Sequence, residues 1–200
     1  MTTVSQLTEY DFIVAIDTSG SMGEPVKAGS SITRWEAVQE AAMTFIRDIE
    51  QLDSDGIGLV LFGGSNVTGY DGVNSNKARE AFANRSPRGS TPLAEALTEA
   101  LKLAGKSDKK DFIIVFTDGV PDDKAAAASV IRAASNKQES DDALTILFIQ
   151  VGDDKSATEY LKKLDDDLGG CKFDIVDAKT VAEAEKFATT ADLILAAIAD

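Results

Sequence analysis

Unbroken apolar runs alternate along this chain with segments whose apolar residues recur every three or four positions. Four runs stand out: Tyr10 to Ile16, Ile57 to Phe62, Asp111 to Thr117 and Ala143 to Val151. Runs of this length, apolar at most positions and rich in Val, Ile and Phe, read as buried strands of a parallel sheet. Phe173 to Val176 reads as a last strand. Val67 to Tyr70 reads as a short edge strand, with Asp71-Gly72 as a turn. Helical patterns lie between the runs. Thr33-Arg34-Trp35-Glu36 is a capping-box pattern, and Trp35, Val38, Ala42, Phe45, Ile49 and Leu52 then form one apolar stripe. Asp53-Ser54-Asp55-Gly56 ends that helix with a polar turn. Lys77 to Ala83 is a short helix. Thr91-Pro92 opens another, with proline at a favourable first position and Leu93, Leu97, Leu101 and Ala104 on the buried face. An alanine-rich helix spans Asp123 to Asn136. Ser156-Ala157-Thr158-Glu159 and Thr180-Val181-Ala182-Glu183 repeat the capping-box pattern. They predict a helix through Leu164 and a final helix over Val181 to Ala199. Met1 to Glu9 is a polar lead-in.

Alternating strands and helices predict an α/β fold: a doubly wound, mostly parallel sheet with helices on both faces and one short antiparallel edge strand. No repeat, low-complexity linker or composition shift divides the chain, so residues 1–200 read as one domain.

Composition narrows the chemistry. The formal net charge is −14, which repels nucleic-acid phosphates and anionic membranes. No apolar run is long enough to cross a bilayer. There is no histidine, so Ser-His-Asp catalysis and histidine-ligated zinc are excluded from within this chain. The single cysteine, Cys171, has no internal disulfide partner. With a polar start and no leader pattern, this favours a cytoplasmic location.

The densest chemistry follows the first strand. Asp17-Thr18-Ser19-Gly20-Ser21-Met22-Gly23 delivers a carboxylate and two hydroxyls at alternate positions. This lies beyond the carboxyl end of a strand, where open α/β sheets bind ligands. Asp118-Gly119 ends the third long strand, and the Gly89-Ser90-Thr91-Pro92 loop brings a further hydroxyl. Thr91 can cap its helix or contact a ligand; Ser90 can take the cap and free it. Asp17, Ser19, Ser21, Thr91 and Asp118 are all hard oxygen donors. Such a set suits Mg2+ or Mn2+, and Ca2+ less well because calcium usually takes more carboxylates. Asp122-Asp123, Asp153-Asp154 and Asp165-Asp166-Asp167 read as solvated acidic residues. Arg85 and Arg88 read as exposed loop charge, and Glu24 to Thr33 as a surface loop.

Asp17-Thr18-Ser19-Gly20-Ser21, Thr91 and Asp118-Gly119 together resemble the von Willebrand factor type A (VWA) domain. The match is to its metal-ion-dependent adhesion site, Asp-x-Ser-x-Ser followed by a Thr and an Asp on later loops. The resemblance implies that these five residues hold a metal directly or through water, and that a protein partner's acidic side chain completes the shell. It implies a non-enzymatic interaction module. Intracellular bacterial members work beside ATPases, in metal insertion, complex remodelling or stress resistance, so association with an ATPase is a possible setting. The alternative is a metal-dependent phosphoryl-transfer enzyme with Asp17 as nucleophile. It is disfavoured because haloacid-dehalogenase phosphatases carry a second aspartate two residues on, where this chain has Ser19.

Overall fold

The computed structural model describes residues 4–52 and 56–200. The strands are β1 (Tyr10–Asp17), β2 (Ile57–Gly63), β3 (Asn66–Val73), β4 (Lys110–Thr117), β5 (Leu144–Gln150) and β6 (Val176–Thr180). They form one sheet in the order β3-β2-β1-β4-β5-β6. Every pairing is parallel except β2–β3. The helices are α1 (Arg34–Ile49), α2 (Ser75–Ala83), α3 (Leu93–Ala104), α4 (Lys124–Lys137), α5 (Lys155–Asp166), α6 (Val181–Ala184) and α7 (Thr190–Ile198).

The central strand shows why the runs are apolar at most positions. Alternate residues of a strand face opposite sides of the sheet. In β1, Phe12, Val14 and Ile16 pack with α1 and α7, whereas Ile13 and Ala15 pack with α3 and α4. Both sets lie in closed cores, so from Phe12 to Ile16 neither face tolerates a polar residue, and the strand then ends at Asp17. The Thr33–Glu36 capping box forms in full, as does the one at Thr180–Glu183.

Several expected elements differ. The β2–β3 turn falls at Gly64-Ser65, and β3 runs on through Asp71-Gly72 with a register shift opposite Ile57 and Leu59. The Ser156 capping box does not form. Asp154 caps α5 instead, its carboxylate accepting from the backbone N–H groups of Ser156 and Ala157. A carboxylate is a stronger acceptor than a serine hydroxyl. The last strand is β6 rather than Phe173 to Val176. The Phe173 backbone N–H and carbonyl both bond to the Ser135 hydroxyl, a side-chain substitute for strand pairing. The final helix is two pieces, because Thr189 caps a fresh start at α7. The lead-in contains a short 3-10 turn, Val4–Glu9, whose Leu7 is fully buried in the α1/α7 core. Of the expected polar turn at Asp53-Ser54-Asp55-Gly56, the first three residues lie outside the described ones.

At the opposite end of the sheet from the strand termini, Asp11 of β1 pairs in register with Asp111 of β4. Asp11 is compensated by Lys109 at 3.0 Å and by the Ser107 hydroxyl. Asp111 has a buried, unpartnered Oδ1, and burial followed by repulsion from Asp11 pushes its carboxyl up to about 7. An unfolded aspartate ionises near about pH 4. The native state therefore keeps a proton that the unfolded chain has lost, and the stability present below that pH is lost as pH rises through about 7. Asp111→Asn removes this loss. Thermal melts should coincide with wild type near pH 4 and lie higher for the variant at pH 8; equal melting temperatures at pH 8 would refute the assignment.

Candidate metal centre

Three loops meet beyond the carboxyl ends of β1, β2 and β4. The first follows β1. Its Gly20–Gly23 segment is wound into a short 3-10 turn just after the extended Ser19, and Met22 is fully buried in the core beside α1. That apolar anchor sets the height of the two serines flanking Gly20. The second loop docks on the first where the Gly20 N–H donates to the Gly89 carbonyl at 2.8 Å. The third loop docks on the second where Asp122 N–H donates to the Thr91 carbonyl and Thr91 N–H donates to Asp122 Oδ1, both at 3.1 Å. Asp17, Ser19, Ser21, Thr91 and Asp118 therefore share one rim.

The oxygens within it are close. Ser19 Oγ and Ser21 Oγ are 3.2 Å apart, and the Ser21 hydroxyl donates to Asp118 Oδ1 at 2.9 Å. Asp17 is fully buried. Its Oδ1 accepts from Ser19 N–H at 2.7 Å and its Oδ2 from the Thr117 hydroxyl at 2.7 Å. Burial pushes its carboxyl up to about 7; the bonds from Thr117 and Ser19 oppose this, and the charge of Asp118 adds to it. Thr91 is buried, but α3 begins after Pro92 with no side-chain cap from either Ser90 or Thr91. Among the described residues, the Thr91 hydroxyl has no hydrogen-bond partner.

This donor set fits a hard divalent cation. The Asp17 carboxylate, penalised by burial and by the charge of Asp118, gains from a nearby positive charge, and neutral hydroxyl oxygens stand beside it. The same residues offer little to a soft metal, having neither thiolate nor imidazole.

Sequence reading missed several residues that shape this rim. Arg34 Nη1 lies 2.7 Å from Asp118 Oδ2. Thr117, read only as the end of an apolar strand, holds Asp17. Arg85 is half-buried rather than loose, donating to the Thr18 hydroxyl at 3.0 Å and to the Asn66 carbonyl at 2.7 Å; Arg88 is exposed, as expected. The solvated reading of Asp122-Asp123 is corrected: Asp122 fixes Thr91, and Asp123 caps α4. An aspartate just before a helix was the available signal. Away from the rim, Asp165 is also not simply solvated. It accepts from Ala178 N–H at 3.1 Å and clusters with Asp177 and Asp200.

Fold and rim define a class: a doubly wound α/β domain with an oxygen-lined rim at its topological switch point. The von Willebrand factor type A domain model matches residues 12–120, more than half of the chain, and the chain belongs to that family. Such domains are typically protein–protein interaction and adhesion modules, typically without enzymatic activity, and often bind a divalent metal. Among solved structures, manganese-loaded TRAP protein of Plasmodium vivax is similar at 20% identity and TM-score 0.65, covering 92% of this chain and 74% of that one. The SpRpn10 VWA domain is similar at 14% identity and TM-score 0.60, covering 92% and 93%. The PilB minor pilin of Streptococcus sanguinis is similar at 14% identity and TM-score 0.62, covering 93% of this chain and 59% of the pilin. The chain thus spans well under two thirds of the pilin's length. No curated protein matches the chain. Among the described residues, no helix is long and apolar enough to cross a membrane.

The height of the first loop depends on one close approach. The Thr18 N–H donates to the Phe62 carbonyl at 2.7 Å, and a Cβ on Gly63 would lie 2.4 Å from the Thr18 carbonyl oxygen. Gly63→Ala must displace this backbone, at a cost of about 1–3 kcal/mol. Gly119→Ala, on the same rim, meets nothing within 4 Å and should be near neutral. Chemical denaturation of both variants checks the contrast; equal midpoints would show that the Thr18–Gly63 contact is not limiting.

Proposed function

We propose that this domain recruits a protein partner through a divalent metal held at Asp17, Ser19, Ser21, Thr91 and Asp118, acting as a metal-ion-dependent adhesion site. The observation that carries this reading is the convergence of the Ser19 and Ser21 hydroxyls and the Asp118 carboxylate within hydrogen-bonding distance, on a rim shared with the uncommitted Thr91 hydroxyl. Mg2+ suits the set, with Mn2+ as a close substitute. When bound, the ion supplies an electrophilic position for a carboxylate oxygen of the partner.

The chain's own residues divide the work. Ser19 and Ser21 present neutral oxygens, so Asp17 and Asp118 are the two charged donors of the set. Asp17 faces inward and fixes the first loop through Ser19 N–H. Thr91 offers a hydroxyl that no helix cap consumes. Asp118 is oriented by Ser21 on one oxygen and by Arg34 on the other. Asp17 is poorly placed for the alternative, phosphoryl transfer: a nucleophile needs an accessible oxygen, and both of its oxygens are buried and hydrogen-bonded. An intracellular setting belongs to the same proposal, supported by the lone Cys171.

Thr91→Val separates ligand from scaffold, because it removes only a hydroxyl that has no partner. Calorimetric titration should show Mn2+ affinity falling by at least about tenfold, or about 1.4 kcal/mol. Stability in chelator should stay within about 1 kcal/mol of wild type. Unchanged Mn2+ affinity removes Thr91 from the set, and no Mn2+ uptake by wild type removes the proposal. A pull-down from native extract tests recruitment: partners should elute with chelator and be absent with Asp118→Ala.

A further inference from the structure

Arg34 is a basic residue built into an acidic rim. Its Nη1 sits 2.7 Å from Asp118 Oδ2, with the Arg34 side chain 13% exposed and that of Asp118 fully buried. Nη1 also approaches the Ser21 carbonyl at 3.5 Å and the exposed Glu24 carboxylate at 3.8 Å. Space for the guanidinium is made by Gly152, where a Cβ would lie 2.9 Å from Nε and φ is +84°. Nε itself is buried without a partner. Desolvating a guanidinium with one N–H unpaired is unfavourable, and pairing with a carboxylate only partly offsets it. An apolar side chain over Gly152 would avoid that cost, so the position is better explained by charge than by packing.

We infer that Arg34 sets the charge of the rim so that the metal-loaded site accepts a carboxylate. This rests on the metal-dependent recruitment proposed above. Asp17 and Asp118 contribute two negative charges when ionised, which a divalent cation only cancels. A neutral site gives an acidic side chain little reason to approach a domain with a net charge of −14. Arg34 adds one positive charge in the same desolvated cluster, whereas the Glu24 side chain is 66% exposed and solvent screens its charge; counting the desolvated groups, the loaded site is left cationic by one, and an arriving carboxylate neutralises it. Among the described residues, Arg34 is the one basic side chain that reaches either aspartate. Its bond to Oδ2 also leaves Oδ1 of Asp118 as the oxygen turned toward Ser21. The same positive charge opposes the metal. Arg34 therefore weakens cation binding and strengthens carboxylate binding, and removing its charge must move the two in opposite directions. A contact that only positioned Asp118 would weaken both together.

The test uses the whole chain with Mn2+ as the metal and acetate as the carboxylate. Mn2+ binding is followed by electron paramagnetic resonance, and acetate binding to the manganese-loaded protein by water-proton relaxation. Arg34→Gln should bind Mn2+ more tightly, on the order of tenfold, as expected for loss of a unit charge a few ångströms away in a partly desolvated site. Its loaded form should bind acetate more weakly by a similar factor. Arg34→Lys, which keeps the charge, should stay within about threefold of wild type for both, the allowance being for lost bidentate geometry. Arg34→Met keeps an apolar stem over Gly152 and carries the same expectation as Arg34→Gln, should the latter fail to fold. Parallel weakening of both affinities, or no change in either, overturns the inference while leaving metal binding intact. Absence of Mn2+ uptake by wild type removes the metal reading and this inference with it.

Discussion

Two carboxylates buried at the ends of neighbouring parallel strands are the constraint around which this domain is arranged. Asp17 and Asp118 are fully or almost fully buried, and an isolated ionised carboxylate in such surroundings is strongly disfavoured. The fold answers with short bonds from every side: Thr117 and Ser19 on Asp17, Ser21 and Arg34 on Asp118. The β1–β4 register makes the first of these possible. Ile16 pairs with Phe116, so the next residue on each strand is Asp17 and Thr117, and the hydroxyl meets the carboxylate without a loop between them.

Around that pair, the scaffold leaves the loops little freedom. Met22 roots the first loop in the apolar core, Arg85 ties Thr18 to β3, and Gly63 lets the backbone of β2 pass beneath Thr18. The second loop is held by Gly20 on one side and Asp122 on the other. Sites with preplaced donors lose less entropy on binding than mobile ones. This is consistent with the proposed role, in which a few oxygens present a cation to a guest rather than enclose it.

The electrostatics set a local rim against a global field. A domain carrying −14 repels acidic surfaces at long range, an effect that salt weakens beyond about 10 Å. In the proposed role, recognition of an acidic side chain is therefore decided at short range, in a desolvated spot where single charges count for more. Arg34, held over Gly152 and against Asp118, lies in that spot.

The sequence by itself determined the layers and which oxygen-bearing residues stand beyond them. Strands covered on both faces must be apolar along most of their length, so β1, β2, β4 and β5 were legible to within a residue or two, and the polar residues that end them stood out. Asp17, Ser19, Ser21 and Asp118 were visible for that reason, and Thr91 as the hydroxyl before a proline at a helix start. Local competition among caps was less legible. Asp154 displaced Ser156, and Thr189 restarted a helix that periodicity had run through, because neighbouring acceptors differ in strength by less than pattern reading resolves. Only the tertiary structure decided which distant residues complete the rim. Arg34 looked like an ordinary first residue of an amphipathic helix, and Thr117 like the end of an apolar run. Their partners lie 84 and 100 residues away, and contacts set by strand register and helix docking leave no periodic trace in the chain.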